Sequence, residues 1–179
     1  MTQIGSVYGQ ALYALAKDEK IVDLIREDLA QVNEVFKGEP DYLRLLSAAN
    51  IPRQERCALL DGAFRDKVHP YVLNFLKILT EKGYAKHFAS CMDVYVRQYN
   101  TDNDILPVKA VSAVALTGKQ IVRLERKISA ITGKKAQVEN RVDPQCLGGV
   151  LLSYDGTQVD GSVASRIENM RKLLKNTVL

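Results

Sequence analysis

The chain changes its hydrophobic period at Thr101–Asp104, and a chain with that break needs two kinds of layer rather than one. The break itself, TDND, is a polar stretch of the kind that interrupts regular structure. Before it, apolar residues recur every three or four positions, as a helix burying one face requires. In SVYGQALYALAKDE, Val7, Tyr8, Ala11, Leu12 and Leu15 fall on one face, with Ser6 as the expected cap. Ile21, Val22, Leu24, Ile25, Leu29, Val32 and Phe36 repeat the pattern until Gly38. Pro40, Pro52 and Pro70 each open a further helix, because proline suits the first helical position, and the helix from Pro70 stops at Gly83. A sixth helix from Tyr84 carries Phe88, Cys91, Met92, Tyr95, Val96 and Tyr99 as its stripe. Six short helices with brief connections imply a compact bundle.

After the break the residues become β-branched and alternating. ILPVKAVSAVAL reads as a strand. TGKQIVRLERKISAIT reads as an amphipathic helix capped by Thr117, with Ile121, Leu124, Ile128 and Ile131 facing inward and Gly133 closing it. KAQVENRV alternates Ala136, Val138, Asn140 and Val142 against polar neighbours, and CLGGVLLSY is a second, more apolar strand. The last helix, GSVASRIENMRKLLKNTVL, has Ser162 as its cap and Val163, Ile167, Met170 and Leu174 on one stripe. The expected fold is therefore an N-terminal six-helix bundle, residues 1–104, followed by a small C-terminal α/β domain, residues 105–179.

The motifs that carry chemistry are incomplete. Gly118-Lys119 follows a strand and opens a helix, as a phosphate-binding loop does. Residue 113 is alanine where the first glycine belongs, and Gln120 replaces the hydroxyl that reaches magnesium. Gly148 and Gly149 sit within an apolar strand, where glycine marks a bulge or a close backbone approach. Asp155-Gly156 suits a tight turn, and Gly161 lies in the turn before the last helix. His69 and His87 belong to no metal-binding spacing, and Cys57, Cys91 and Cys146 are far apart, as buried thiols of a reducing compartment are. No catalytic, cofactor-binding or metal-binding residue is expected.

A formal net charge of +4 suits an acidic protein partner as well as nucleic acid or an anionic membrane surface. The basic residues, however, are interspersed with acidic ones, as in REDL, RLERK and RIENMRK, and clustered basic residues interleaved with aromatics are missing. No apolar run approaches the roughly 20 residues of a membrane span. The N-terminus lacks a basic segment followed by an apolar core, so a mature, cytosolic product is expected.

The stretch VDPQCLGGVLLSYDGTQVDGSVASRIENMRKLL resembles the C-terminal signature of the F-type ATP synthase delta subunit, the family of the mitochondrial oligomycin sensitivity conferral protein. The matching elements are Asp143-Pro144, Leu147, Gly148-Gly149, Asp155-Gly156, Asp160-Gly161-Ser162 and the helix from Arg166 to Leu173, while Cys146 stands where the pattern is loose. YGQALYALAKDE is similar to the family opening Y-x-x-A-L-Y/F-x-L-A. The resemblance implies a non-catalytic stator subunit without cofactors, joining the alpha/beta catalytic head to the b-type peripheral stalk on the cytoplasmic face of a bacterial cell membrane. It implies no membrane insertion and no nucleic-acid partner.

It also implies that the helical domain holds an N-terminal helix of the alpha subunit in a groove between its first and fifth helices. On this chain the lining is then Tyr8, Ala11, Leu12 and Leu15 with Val72, Phe75, Leu76 and Leu79, and small Ala11 and Ala14 admit a close partner. The stalk contact falls on Met170, Leu173 and Leu174. Gly148, Gly149, Gly156 and Gly161 then shape the sheet end and aim the last helix. The alternatives are a free-standing adaptor or RNA-associated module, which the basic charge allows, and a small hydrolase or transferase, which has Gly118-Lys119 and the turns in its favour.

Overall fold

The structure is a computed structural model and describes residues 3–48, 50–144, 146 and 148–161. The expected last helix, with Ser162, Met170, Leu173 and Leu174, lies outside the described residues, as does Leu147. The protein is α + β: seven α-helices and a mixed four-stranded sheet are found among the described residues. The chain divides into two compact units, Met1–Tyr99 and Asn100–Leu179.

The first unit is helical. Its elements are α1 (Gln3–Asp18), α2 (Val22–Gly38), α3 (Pro40–Leu46), α4 (Arg53–Phe64), α5 (Pro70–Glu81), a single 3-10 turn (Ala85–His87) and α6 (Phe88–Asp102). All six α-helices supply side chains to one hydrophobic core. Phe36 is its aromatic hub, meeting Phe88 at 5.0 Å and Phe64 at 6.2 Å, both edge to face.

The rotation of α1 about its axis follows from two glycines. Its buried face is Gly5, Gly9, Leu12, Tyr13 and Ala16. A Cβ added at Gly9 would stand 2.5 Å from the Cys91 carbonyl oxygen, and one at Gly5 would stand 2.7 Å from Ser90 Cβ. The two backbones thus approach through a face that has no side chains. Because that face is inward, Val7, Ala11 and Leu15 point outward, although their spacing matches that of a core stripe. Ser6 lies inside α1 and is not its cap.

Buried polar groups tie distant segments together. The Asp28 carboxylate accepts from the His69 amide at 2.6 Å, at the entry to α5. The Tyr95 hydroxyl donates to the Val22 carbonyl at 2.9 Å. Arg56 donates through Nη1 to the carbonyls of Leu46 and Thr80, which lie near the C-terminal ends of α3 and α5, where backbone acceptors lack helical partners. Gly83, at φ 73°, lets the chain reverse after α5, and the Tyr84 amide donates back to the Leu79 carbonyl at 2.7 Å.

The second unit contains β1 (Ile105–Ser112), α7 (Gly118–Thr132), β2 (Lys135–Val142), β3 (Val150–Tyr154) and β4 (Thr157–Asp160), with strand order β2-β1-β3-β4. The β1 and β2 strands are parallel and joined by the α7 crossover, whereas β3 is antiparallel to β1 and β4 to β3. Leu106, Val108 and Ile128 form the core, covered by Leu124, Ala136, Val138, Leu152 and Tyr154. Pro107, which has no amide hydrogen, sits on the part of β1 that β3 does not reach.

α7 starts with a capping box. The Gln120 amide donates to Thr117 Oγ1, and the Gln120 side chain accepts from the Thr117 amide. Gly133 closes it at φ 72°. The same helix guards the free edge of β2: Ser129 Oγ accepts from the Ala136 amide at 2.9 Å, and Glu125 accepts from the Val138 amide at 3.0 Å. Asn140 pins the loop before α7, donating to the Ala110 carbonyl and to Ser112 Oγ while accepting from the Leu116 amide.

Several expectations are corrected. Ile131 points away from the sheet and is 82% exposed, and Leu24 also faces solvent. Gly148 and Gly149 precede β3 rather than lying within it; their φ values of 147° and 84° bend the chain into the strand. Residues 157–160 add a strand that their mostly polar composition hides. The two-residue turn with Asp155 at φ 46° and Gly156 at φ 75° creates it, since this twist matches that of an antiparallel hairpin.

Three glycine substitutions separate these roles. Gly9→Ala is expected to destabilise the chain by about 1–3 kcal/mol through overpacking. Gly62→Ala, in an exposed helical position with open space around it, is expected to stabilise by about 0.5–1 kcal/mol. Gly149→Val is expected to cost about 1–3 kcal/mol, because a β-branched residue must adopt a positive φ. Denaturant titration of the full chain measures all three.

Candidate partner-binding surface

The residues expected to line a groove divide sharply by burial. Leu12, Val72, Phe75, Leu76 and Leu79 belong to the core of the first unit, where they hold the helices together and present no surface. On α5 the row Val72, Phe75, Leu76, Leu79 is the helix's inward face, and Leu73 and Thr80 are buried beside it. The large apolar side chain that α5 leaves outside is Ile78, 45% exposed. The residue types alone do not separate Ile78 from Leu79; the helix rotation does.

On α1 the outward row is Val7, Ala11, Ala14 and Leu15, with Val7 59% and Leu15 40% exposed. Tyr8 lies at the margin, half-buried, with its ring edge-on to Tyr84 at 6.0 Å. The row follows three- and four-residue spacing on a helix of 16 residues, and its two alanines sit between two branched aliphatic residues. Such a face suits a second helix: the small residues allow backbones to approach, and Val7 and Leu15 act as knobs at either end. An apolar depression on the same unit is lined by Leu45, Ile51, Ala58, Leu59 and Ala63.

Cys91, Tyr95 and His69 serve the fold. The Cys91 thiol is pushed up to about 11 by burial, so it carries no thiolate near neutral pH. Burial also raises the Tyr95 phenol, which keeps the proton it donates to Val22. His69 caps α5, with Nδ1 accepting from the Tyr71 amide at 3.3 Å. Among the described residues no three His, Cys, Asp or Glu side chains gather as a metal site would require. At the start of α7 the Thr117 hydroxyl takes the Gln120 amide, one of the groups a phosphate loop would direct at its ligand. No helix among the described residues is long and apolar enough to cross a membrane.

An exposed apolar helix row above a tightly tied core offers a surface that a second helix can cover. Comparison with known proteins identifies the family of the chain. The family described as "ATP synthase delta (OSCP) subunit" matches residues 4–174, and the chain belongs to that family. The ATP synthase subunit delta of Alkaliphilus oremlandii is 28% identical over 172 residues, covering 96% of both chains. That of Lactobacillus gasseri is 32% identical over 173 residues, 96% of this chain and 94% of the relative. A chain of the Toxoplasma gondii mitochondrial ATP synthase hexamer superposes with a TM-score of 0.75, covering 97% of this chain and 98% of that one, at 18% identity, which speaks for the fold alone. The protein is thus a non-catalytic subunit of an F-type ATP synthase, a component of the peripheral stalk that acts as its stator.

The division between core and surface is testable. Leu76→Glu places a carboxylate in the core and is expected to cost about 4 kcal/mol or more, unfolding the helical unit. Val7→Glu leaves the core untouched and is expected to change stability by no more than about 0.5 kcal/mol. Thermal circular dichroism of the two variants gives the comparison.

Proposed function

We propose that this chain fastens the catalytic head of the synthase to its peripheral stalk through a division of labour between its two halves. Residues 1–104 act as a six-helix bundle that grips the amphipathic N-terminal helix of an alpha subunit, and residues 105–179 bind the b-type stalk. The chain sits at the periphery of the membrane, on its cytoplasmic face. So held, the alpha/beta head cannot turn with the central shaft, and proton flow drives ATP synthesis rather than rotation of the whole head.

The observation that carries this reading is the outward apolar row of α1, Val7, Ala11, Ala14 and Leu15. A stator contact needs affinity and stiffness and no bond-breaking group. Covering Val7 and Leu15 with a partner helix removes apolar area from water, worth about 1.5–3 kcal/mol for each side chain fully buried. Ala11 and Ala14 keep the helix axes close, and exposed Ile78 on α5 supplies an aliphatic anchor for the second wall of the groove. The core residues Leu12, Val72, Phe75, Leu76 and Leu79 act indirectly, by fixing the rotation of the two helices that carry the lining. For the second half, the stalk contact inferred from the family includes Met170, Leu173 and Leu174.

Calorimetric titration of the full-length chain with a peptide from the alpha N-terminus tests the first contact. Binding is expected, and a Val7→Glu, Leu15→Glu double variant that melts normally is expected to weaken it by about tenfold or more. Absence of binding at high micromolar peptide, or equal affinity for the double variant, contradicts the assignment of α1.

A further inference from the structure

Arg56 is a buried cation with no acid paired to it. It is 7% exposed, and the two hydrogen bonds of its guanidinium both run from Nη1, to the neutral carbonyls of Leu46 and Thr80 at 3.0 and 3.2 Å. Its Nε is buried and has no hydrogen-bond partner. A guanidinium carries five donor hydrogens, and a buried charge is ordinarily matched by an opposite one. Lys77 on α5 has that match, in Asp61 on α4 at 2.7 Å, whereas Arg56 forms no ion pair with a described residue.

Room for a counter-ion lies beside it. Arg56 is part of the wall of a cavity of about 540 Å³, formed where the connection after α3, the start of α4 and the end of α5 meet. Arg53 and Lys82 also line it, both exposed and both without an ion pair among the described residues. The start of α4 adds further positive charge. Its cap position is Pro52, which has no side-chain acceptor to offer, so the amides of the first turn keep their partial charge. Glu55, the acid of that turn, lines the apolar depression with Leu45 and Leu59 instead. One acid does line the cavity, the exposed Glu81, and its hydrogen bond is with Cys57 Sγ at 3.9 Å. Three cations and a helix start thus share the cavity with one carboxylate.

We propose that this cavity binds phosphoryl groups carried as a small polyanion of the diphosphate class. A tetrahedral phosphoryl group offers acceptors in several directions, which suits donors supplied by helix amides, two flexible cations and a fixed guanidinium. A carboxylate, with two oxygens in one plane, leaves more of those donors idle. The volume falls within the span of small-molecule sites, roughly 300–1,000 Å³, and exceeds what a single orthophosphate fills. The described lining includes no aromatic ring on which a base could stack, so recognition falls on the phosphates, whether free diphosphate or the tail of a nucleotide supplies them. Bound there, the anion bridges the start of α4 to the ends of α3 and α5, the segments that Arg56 already ties. None of these residues belongs to the outward row of α1, so this site and the alpha contact stand or fall separately.

The test titrates the full-length, nitrogen-15-labelled chain with pyrophosphate at constant ionic strength and follows the amide and arginine Nε signals by NMR. Saturable shifts are expected at the amides of Arg53, Gln54 and Glu55 and at the Arg56 side chain, with a melting temperature that rises as pyrophosphate is added. Arg53→Ala with Lys82→Ala removes two exposed cations; it is expected to weaken binding about tenfold or more and to leave the melting of the free chain unchanged. Glu81→Gln is expected to tighten binding, because a like charge leaves the cavity. ADP, titrated alongside, distinguishes the sources: tighter binding than pyrophosphate assigns the site to a nucleotide tail, and equal or weaker binding assigns it to the free polyanion.

No saturable shift at millimolar pyrophosphate, or shifts scattered over the lysines and arginines of both units, overturns the proposal. So does succinate binding as tightly as pyrophosphate, equal affinity in the double variant, or a Glu81→Gln affinity that does not rise.

Discussion

The contact between α1 and α6 governs what the helical unit can offer a partner. Gly5 and Gly9 bring the two backbones so close that a Cβ at position 9 would fall 2.5 Å from a carbonyl oxygen. That approach fixes the rotation of α1, and the rotation decides which side chains are structural. Tyr13 and Ala16 go inward, and Val7, Ala11 and Leu15 go outward. Had α1 been turned by about half a turn, the apolar row, which lies opposite Gly5, Gly9, Leu12, Tyr13 and Ala16, would have faced the core and left no face for a second helix. The buried ties from Asp28 to His69, from Tyr95 to Val22 and from Arg56 to two helix ends hold the helices in one arrangement. They join segments as much as 73 residues apart in the chain. Stiffness of this kind is what a part that resists torque requires.

The second unit solves a different problem with similar economy. A parallel pair of strands needs a crossover, and α7 both supplies it and satisfies amides on the open edge of β2. Using Glu125 for that purpose leaves the basic residues of α7 without an acidic counterpart on their own face. The edge protection and the cationic face therefore have one cause. Asn140 binds the strand end to the loop before α7, so the helix that carries the cations is held at its start as well as along its length.

Much of this was legible in the residues. Proline placed the starts of α3 and α5, and Gly83 and Gly133 placed two helix ends, because each acts through local backbone geometry. Thr117 announced a helix cap and Asp155-Gly156 a tight turn, while the capping box completed by Gln120 and the hairpin built on that turn come from the structure. The faces of helices were harder. Periodicity finds apolar rows but does not say which row is inward when two compete, and glycines that define the true interface carry no hydrophobic signal. Hence Val7 and Leu15 were hard to separate from Leu12, and Ile78 from Leu79. Ile131 continued the spacing of Ile128, but it lies in the last turn of α7, beyond the sheet contact. In RLERK the charges alternate along the chain, yet they segregate in space once Glu125 turns toward β2. β4 carries little signal of its own because it is short and mostly polar, and the turn rather than its composition makes it a strand.

The central claim is that the outward row of α1 is where the catalytic head is held. Methyl-resolved NMR of the full-length chain, with isoleucine, leucine and valine labelled and an alpha N-terminal peptide added, tests it most directly. The account predicts that the Val7, Leu15 and Ile78 methyl signals move as peptide is added, while those of Val72, Leu76 and Leu79 in the core move little. Shifts confined to the core or to the second unit, with Val7 and Leu15 unmoved at saturating peptide, would contradict it.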